Sequence, residues 1–416
     1  MREGTETTVS RRGPGVPDRF FADPDFDFEA RTALGLASQG VGDIGQVLVT
    51  LSGIENGDAD SWYRAWHRRG ERLQRQAEAS VAAGRPESTR AFFLAASEAY
   101  SRALRFSAGM AEPRLFGPTF TLHRQCWERV VAHSEGAFLH VDVPYAHSTL
   151  PGYLLRPDAT GAPRPTLVLT NGSDGSLTSL WGTGAWGALR RGFNAFVYDG
   201  PGQQSMLFER GVPFRPDWEA VLVPIVDLLV TRDDVDAGAL LAYGISQAGY
   251  WVPRALAFEH RFAAAVVDPG VMDVSTSWTS HLPPELVDLL HAGERDAFDE
   301  AMREVDEDPV LARVLEFRSR PYGTATPFET FTAVLRYHLR DVVKRIRTPL
   351  LITDPDDEQF WPGQSEALFR VLTGDKERVR FTREDGARSH CQPLGRTVTD
   401  LSMFDFFAER LARRTH

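Results

Sequence analysis

The chain has 416 residues with 46 Lys plus Arg against 57 Asp plus Glu, a net charge of −11 and a pI near 5.5. That length holds one large domain plus a smaller one with an ample core, and the acidity, without any continuous basic stripe, argues against nucleic acid or an anionic membrane as partner. Cys126 and Cys391 are too few for a disulfide framework or a thiolate zinc site, and no apolar run approaches twenty residues, so the expectation is a soluble cytoplasmic protein acting on a small molecule, with no metal and with a homodimer left open.

Residues 1–20, rich in Thr, Gly, Pro and Arg, read as a disordered tail, and 21–135 as a helical N-terminal domain. Between 60 and 81, Trp62, Trp66, Leu73, Ala77 and Val81 fall at helical spacing and Gly84 is placed to end the helix. Ser88 is placed to cap a second helix carrying Phe92, Ala95, Ala99, Ala103 and Phe106. No second copy of the pair follows at a fixed period, which points to a packing domain rather than a repeat array.

From Phe138 the period changes to two, predicting a strand, a turn at 148–152 and a second strand at 153–156. Short apolar strands then alternate with helices at 166–170, 193–198, 239–243, 263–267, 349–353 and 379–382. This alternation predicts an α/β class: a mostly parallel sheet with helices on both faces, spanning 136–416, with ligands at the carboxyl ends of the strands. It is interrupted at 274–346, where helix-like segments near 284–305, 309–318 and 327–346 read as a helical lid over the site.

The chemistry centres on Gly244-Ile245-Ser246-Gln247-Ala248-Gly249, directly after the apolar run at 239–243. A strand running into G-x-S-x-A-G matches a nucleophile elbow, whose sharp, strained turn requires small residues two places either side of the serine. The competing reading is a strand-to-helix turn with an idle serine. An elbow makes demands elsewhere: an acid after a later strand, a histidine near the end and a glycine-bearing loop earlier. Asp354-Pro355-Asp356-Asp357-Glu358 follows one late strand and His390 follows the last. Within the acidic cluster Asp357 is preferred and Asp356 held in reserve. Asn171-Gly172-Ser173-Asp174-Gly175 ends an early strand, so the backbone N–H groups of Ser173 and Gln247 are the candidate oxyanion donors. Cys391 reads as a small buried hydrophobe, and Asp199-Gly200-Pro201-Gly202-Gln203 as a shaping turn. Gly182 to Gly187 formally spells G-x-G-x-x-G, but a dozen residues separate it from the preceding strand, so no dinucleotide and no other cofactor is expected.

With the elbow, the Asp199-Gly200-Pro201-Gly202 turn, the Asp268-Pro269-Gly270 segment and the late His390, the chain resembles the α/β-hydrolase group with a helical N-terminal domain typified by dihydroxypseudooxynicotine hydrolase and the fungal polyketide-shortening hydrolases. The resemblance implies Ser246 as nucleophile, Asp357 as acid and His390 as base, acting on an ester or on a carbon–carbon bond next to a ketone. Two departures stand out: Ala248 where the group usually has glycine, and Thr353-Asp354 where a His-Gly pair often precedes the acid loop, which leaves Asp356 against Asp357 open. Acyl transfer or cyclisation on the same triad, and a non-catalytic ligand-binding role, are the alternatives.

Overall fold

The computed structural model describes residues 19–306 and 309–414; the expected tail lies, up to residue 18, outside them. The chain begins with helices α1 (Pro24–Ser38), α2 (Ile44–Leu51), α3 (Ala59–Ala82), α4 (Pro86–Ala103) and α5 (Phe116–Ala132). Asp23, Asp43 and Asp58 cap the first three, each side chain accepting backbone N–H bonds of the first turn. The sequence expectation of a Ser88 cap on α4 is not met: the helix starts at Pro86, whose fixed φ suits the first helical position, and Ser88 lies inside the first turn. Trp62, Trp66 and Trp127 are buried at the centre of this layer, where the Phe26 and Phe106 rings pack against Trp62 at 5.0 and 4.9 Å.

Among the described residues, eight strands form one sheet: β1 (Phe138–Tyr145), β2 (Ser148–Leu155), β3 (Arg164–Thr170), β4 (Asn194–Tyr198), β5 (Val235–Ile245), β6 (Ala264–Asp268), β7 (Leu350–Pro355) and β8 (Lys376–Phe381), in the order β1-β2-β4-β3-β5-β6-β7-β8. The β1–β2 and β2–β4 pairs are antiparallel and the rest parallel. The segment 148–152, expected as a turn, belongs to β2; the chain reverses instead at Ala146, with φ 49°, and His147. Leu150 is fully buried, and a side chain on Gly152 would come within 2.5 Å of the Phe196 ring, so this glycine serves close packing and not a bend.

The period-two pattern divides each strand between two cores. Leu167, Leu169, Leu241 and Tyr243 join the N-terminal helices and helix Arg396–Arg414 on one face, while Val168, Leu240 and Ala242 face helices Glu219–Leu229 and Ala248–Leu256 on the other. The glycines of the G-x-G-x-x-G segment lie within a helical stretch under the first face. Side chains on Gly182, Gly184 and Gly187 would strike Leu36, Leu169 and Phe404, so they let helix, sheet and N-terminal layer approach closely.

The insertion between β6 and β7 forms helices Thr276–Thr279, Pro284–Ala292, Arg295–Asp306, Pro309–Ser319 and Pro327–Val334. The single helix expected at 284–305 is broken at Gly293, which has φ 78°. The one expected at 327–346 stops early, because the chain turns back along the loop after β6, where Leu339 N–H donates to the Met272 carbonyl at 2.8 Å. No helix among the described residues is long and apolar enough to cross a membrane.

Candidate active site

Strand β5 delivers Ser246 in a left-handed backbone conformation, φ 57°, which a non-glycine residue holds only when its surroundings enforce it. The enforcing contacts are local. Ser246 N–H donates to the Asp268 carbonyl at 2.6 Å and Gly249 N–H to the Ser246 carbonyl at 2.8 Å. A side chain on Gly244 would lie 2.5 Å from the Ala248 carbonyl, and one on Gly249 1.9 Å from the Pro269 carbonyl. Both positions therefore require glycine, whereas Ala248, the departure seen in the sequence, is fully buried at its site.

His390 Nε2 lies 2.9 Å from Ser246 Oγ, although 144 positions separate the two residues. The other ring nitrogen, Nδ1, is 2.9 and 2.8 Å from the two carboxylate oxygens of Glu358. This corrects the sequence expectation: Asp357 does not reach the histidine. Its side chain is 57% exposed and pairs with Arg388 at 3.1 Å, while Asp356 pairs with Arg380 at 2.6 Å. The reason is the register of the acid loop. Asp357 forms a parallel bridge with Ser389, its N–H donating to the Arg388 carbonyl at 2.8 Å, so this extended backbone turns Asp357 outward and the next side chain inward. Glu358 also accepts the N–H groups of Phe360 at 2.9 Å and Trp361 at 3.2 Å, which fixes the carboxylate before any chemistry begins. His390 and Glu358 are 4% and 5% exposed. The Phe360, Trp361 and Phe28 rings stand 4.7, 5.8 and 6.4 Å from the imidazole, the last contributed by α1.

The loop after β3 closes against the serine. A side chain on Gly172 would sit 2.7 Å from Ser246 Cβ, so only glycine allows this approach. Gly172 N–H donates to its neighbour Asn171 Oδ1 at 3.1 Å; the N–H groups of Ser173 and Gln247 have no such acceptor among the described residues. Gln203 holds the loop in place by donating to the carbonyls of Asn171 and Gly172 at 2.7 and 2.8 Å. The Asp199–Gln203 turn thus acts on the loop beside Ser246. Asp199 itself takes Arg124 of α5 at 2.9 Å, tying the N-terminal helices to the same corner.

Beneath the site, Asp268 gathers the segments that carry Ser246, Glu358 and His390. Its buried carboxylate accepts from Tyr243 at 2.8 Å, Thr353 at 2.6 Å, Gln392 at 2.9 Å and Arg396 at 3.0 Å, and its carbonyl accepts from Ser246 N–H and, at 3.3 Å, from Cys391 Sγ. Burial pushes the Cys391 thiol well above its ordinary value, which suits a packing residue and not a nucleophile. Neither Glu358 nor the Asp268 hub was singled out from sequence. The signal for Glu358 was present in the run Asp354 to Glu358, where five consecutive positions hold four carboxylates and only side-chain direction separates them.

No family model matches the chain. It is 28% identical over 363 residues to the hydrolase LUC6 of Fusarium sp, covering 84% of this chain and 86% of that protein. It is 31% identical over 379 residues to the 20-hydroxy-prefusarin hydrolase FUS2 of Gibberella moniliformis, covering 85% and 88%. The fold is shared with 2,6-dihydroxy-pseudo-oxynicotine hydrolase, which superposes with a TM-score of 0.70 at 18% identity, covering 90% and 94% of the two chains.

Proposed function

Since the chain belongs to the α/β-hydrolase family, related along most of its length to the fungal hydrolases above, we propose that it is a serine hydrolase cleaving an ester, or a carbon–carbon bond next to a ketone, in a medium-sized, largely apolar, polyketide-like substrate. The observation that carries this reading is the alignment of Ser246 Oγ, the His390 ring and the Glu358 carboxylate at hydrogen-bond distances. Glu358 accepts Nδ1–H and thereby leaves the Nε2 lone pair for the serine hydroxyl. As Ser246 Oγ bonds to the substrate carbonyl carbon, its proton passes to His390 Nε2, and the resulting imidazolium is stabilised by Glu358. The carbonyl oxygen, now an anion, takes the N–H groups of Gln247 and Ser173. Collapse breaks the bond to the alkoxide or enolate leaving group, which receives the proton from His390. Water then attacks the acyl-enzyme with His390 again as base, releasing a carboxylic acid and restoring Ser246.

The rings of Phe28, Phe360 and Trp361 around the imidazole favour an apolar substrate and keep bulk water from it. In this reading the insertion at 274–346 is the lid, and the helical segment at 21–135 forms the opposing wall. The enclosure also supports a second outcome, interception of the acyl group by an alcohol or amine in the pocket, which product mass distinguishes because hydrolysis adds water. The test is labelling with a fluorophosphonate probe and location of the adduct by peptide mass mapping, alongside assays of Ser246→Ala on short acyl esters and 1,3-diketones. An adduct on Ser246 and loss of turnover in the variant are expected; retained turnover on both substrate types overturns the proposal.

A further inference from the structure

Ser173, whose N–H is an oxyanion donor in the reading above, lies in a loop gripped from two sides. On the core side Gln203 donates to the Gly172 carbonyl at 2.8 Å, and that carbonyl shares one planar peptide unit with the Ser173 N–H. On the other side the grip comes from the N-terminal helices. Arg105, just past the end of α4, donates from Nη1 to both the carbonyl and a carboxylate oxygen of Asp174, each at 3.0 Å. The Gln204 side chain donates to the same carbonyl at 3.2 Å, so both lone pairs of that oxygen are engaged.

Arg105 is itself anchored. Its side chain is 12% exposed, and its Nε lies 3.5 Å from Glu29 of α1. Glu29 also pairs with Arg102 at 2.9 Å, and Arg102 with Glu98 at 2.6 Å, the last two both buried. Glu98 in turn accepts the hydroxyl of Thr178, in helix Leu177–Leu180 directly after the loop. One charge network on α1 and α4 therefore holds the chain at Asp174 and again at Thr178. The same α1 places Phe28 beside the His390 ring.

A loop containing Gly172 and Gly175 has little backbone stiffness of its own. An oxyanion donor lowers the barrier only if it is fixed before charge develops, because reorientation during the reaction is taken from the stabilisation. The Gly172 and Asp174 carbonyls flank Ser173, and holding both restricts the direction of its N–H.

We propose that Arg105 is a positioning residue for the oxyanion hole: through Asp174 it holds the loop that carries the Ser173 N–H against Ser246, which makes the N-terminal helices a working part of the site. This rests on the reading of Ser246 as nucleophile and deepens it.

Arg105→Ala removes the grip and leaves Glu29 paired with Arg102, so no buried carboxylate is stranded. On 4-nitrophenyl acyl esters kcat is expected to fall about tenfold with KM within about twofold, a part of the roughly hundred- to thousandfold that losing an oxyanion donor outright costs. Millimolar guanidinium chloride should restore about threefold of that kcat, and sodium chloride none, which a merely structural defect would not show. Hydrogen exchange over 171–176 reads the loop without turnover and should quicken about fivefold in Arg105→Ala. Asp174→Ala, at a half-exposed side chain, keeps the carbonyl arm and should lose about threefold in kcat. Unchanged kcat, a loss confined to KM, no recovery with guanidinium, or exchange as slow as in the wild-type protein overturns the proposal. If Arg105→Ala does not fold, Asp174→Ala decides, and wild-type kcat and exchange in it overturn the proposal. A wild-type chain that resists the fluorophosphonate loses the catalytic reading, and the exchange rates then decide the grip of Arg105 by themselves.

Discussion

Replacing Glu358 by glutamine separates the two carboxylates that the sequence leaves adjacent. Glutamine keeps an oxygen for the Phe360 and Trp361 N–H groups, so the loop survives, but it removes the negative charge 2.8 Å from His390 Nδ1. With roughly 4 Å between charge centres and an effective dielectric of about 20, that charge stabilises the imidazolium formed during attack by about 4 kcal/mol, or roughly a thousandfold in rate. The amide can also present its NH2 group to Nδ1, which forces the proton onto Nε2 and blocks the serine, so the loss extends to about ten-thousandfold. Asp357→Asn removes a charge that is 57% exposed and, among the described residues, paired with Arg388 alone, and a change under about twofold is expected. The assay is kcat/KM on 4-nitrophenyl acyl esters for both variants. A Glu358→Gln enzyme within tenfold of wild type, or an equal fall in Asp357→Asn, refutes the assignment of the acid.

Three further outcomes follow from the same contacts. Asp268→Asn leaves the Arg396 guanidinium buried without its countercharge and turns an amide NH2 toward existing donors; a loss of about 3–5 kcal/mol in urea unfolding is expected, and one below about 1 kcal/mol contradicts the role of the hub. Gly249→Ala drives a Cβ to 1.9 Å from the Pro269 carbonyl, so the elbow must distort, with fluorophosphonate labelling lost even where folded protein is recovered. Normal labelling rates would show that the turn is more compliant than its contacts imply. His123, held down by burial to about 3 against 6.5, contributes stability that is complete above pH 6.5 and is lost as the pH falls towards 3, on the order of a few kcal/mol. His123→Phe should therefore lose stability less steeply than wild type over that window, and parallel curves would refute it.

Local pattern carried a large share of the architecture. The alternation at 138–145, the apolar runs of β3 to β7 and the helical spacing of Trp62, Trp66 and Leu73 each reflect which face is buried, and burial is written at short range. Errors fell where a residue has two uses. Gly152 looks like a turn glycine and is a packing glycine against Phe196; Ser88 looks like a cap and is displaced by Pro86.

Local requirements made two placements legible from sequence, Ser246 on a tight turn after β5 and His390 after the last strand, because small residues around the serine and the strand periods act at short range. Which carboxylate meets His390 was settled by long-range contacts, since the bridge between Asp357 and Ser389 turns Asp357 outward and Glu358 inward and joins segments more than thirty residues apart. The same holds for the Asp268 hub and for the grip of Arg105 on Asp174. Their partners come from stretches that share no periodicity, and they exist only once the N-terminal helices and the sheet are packed together.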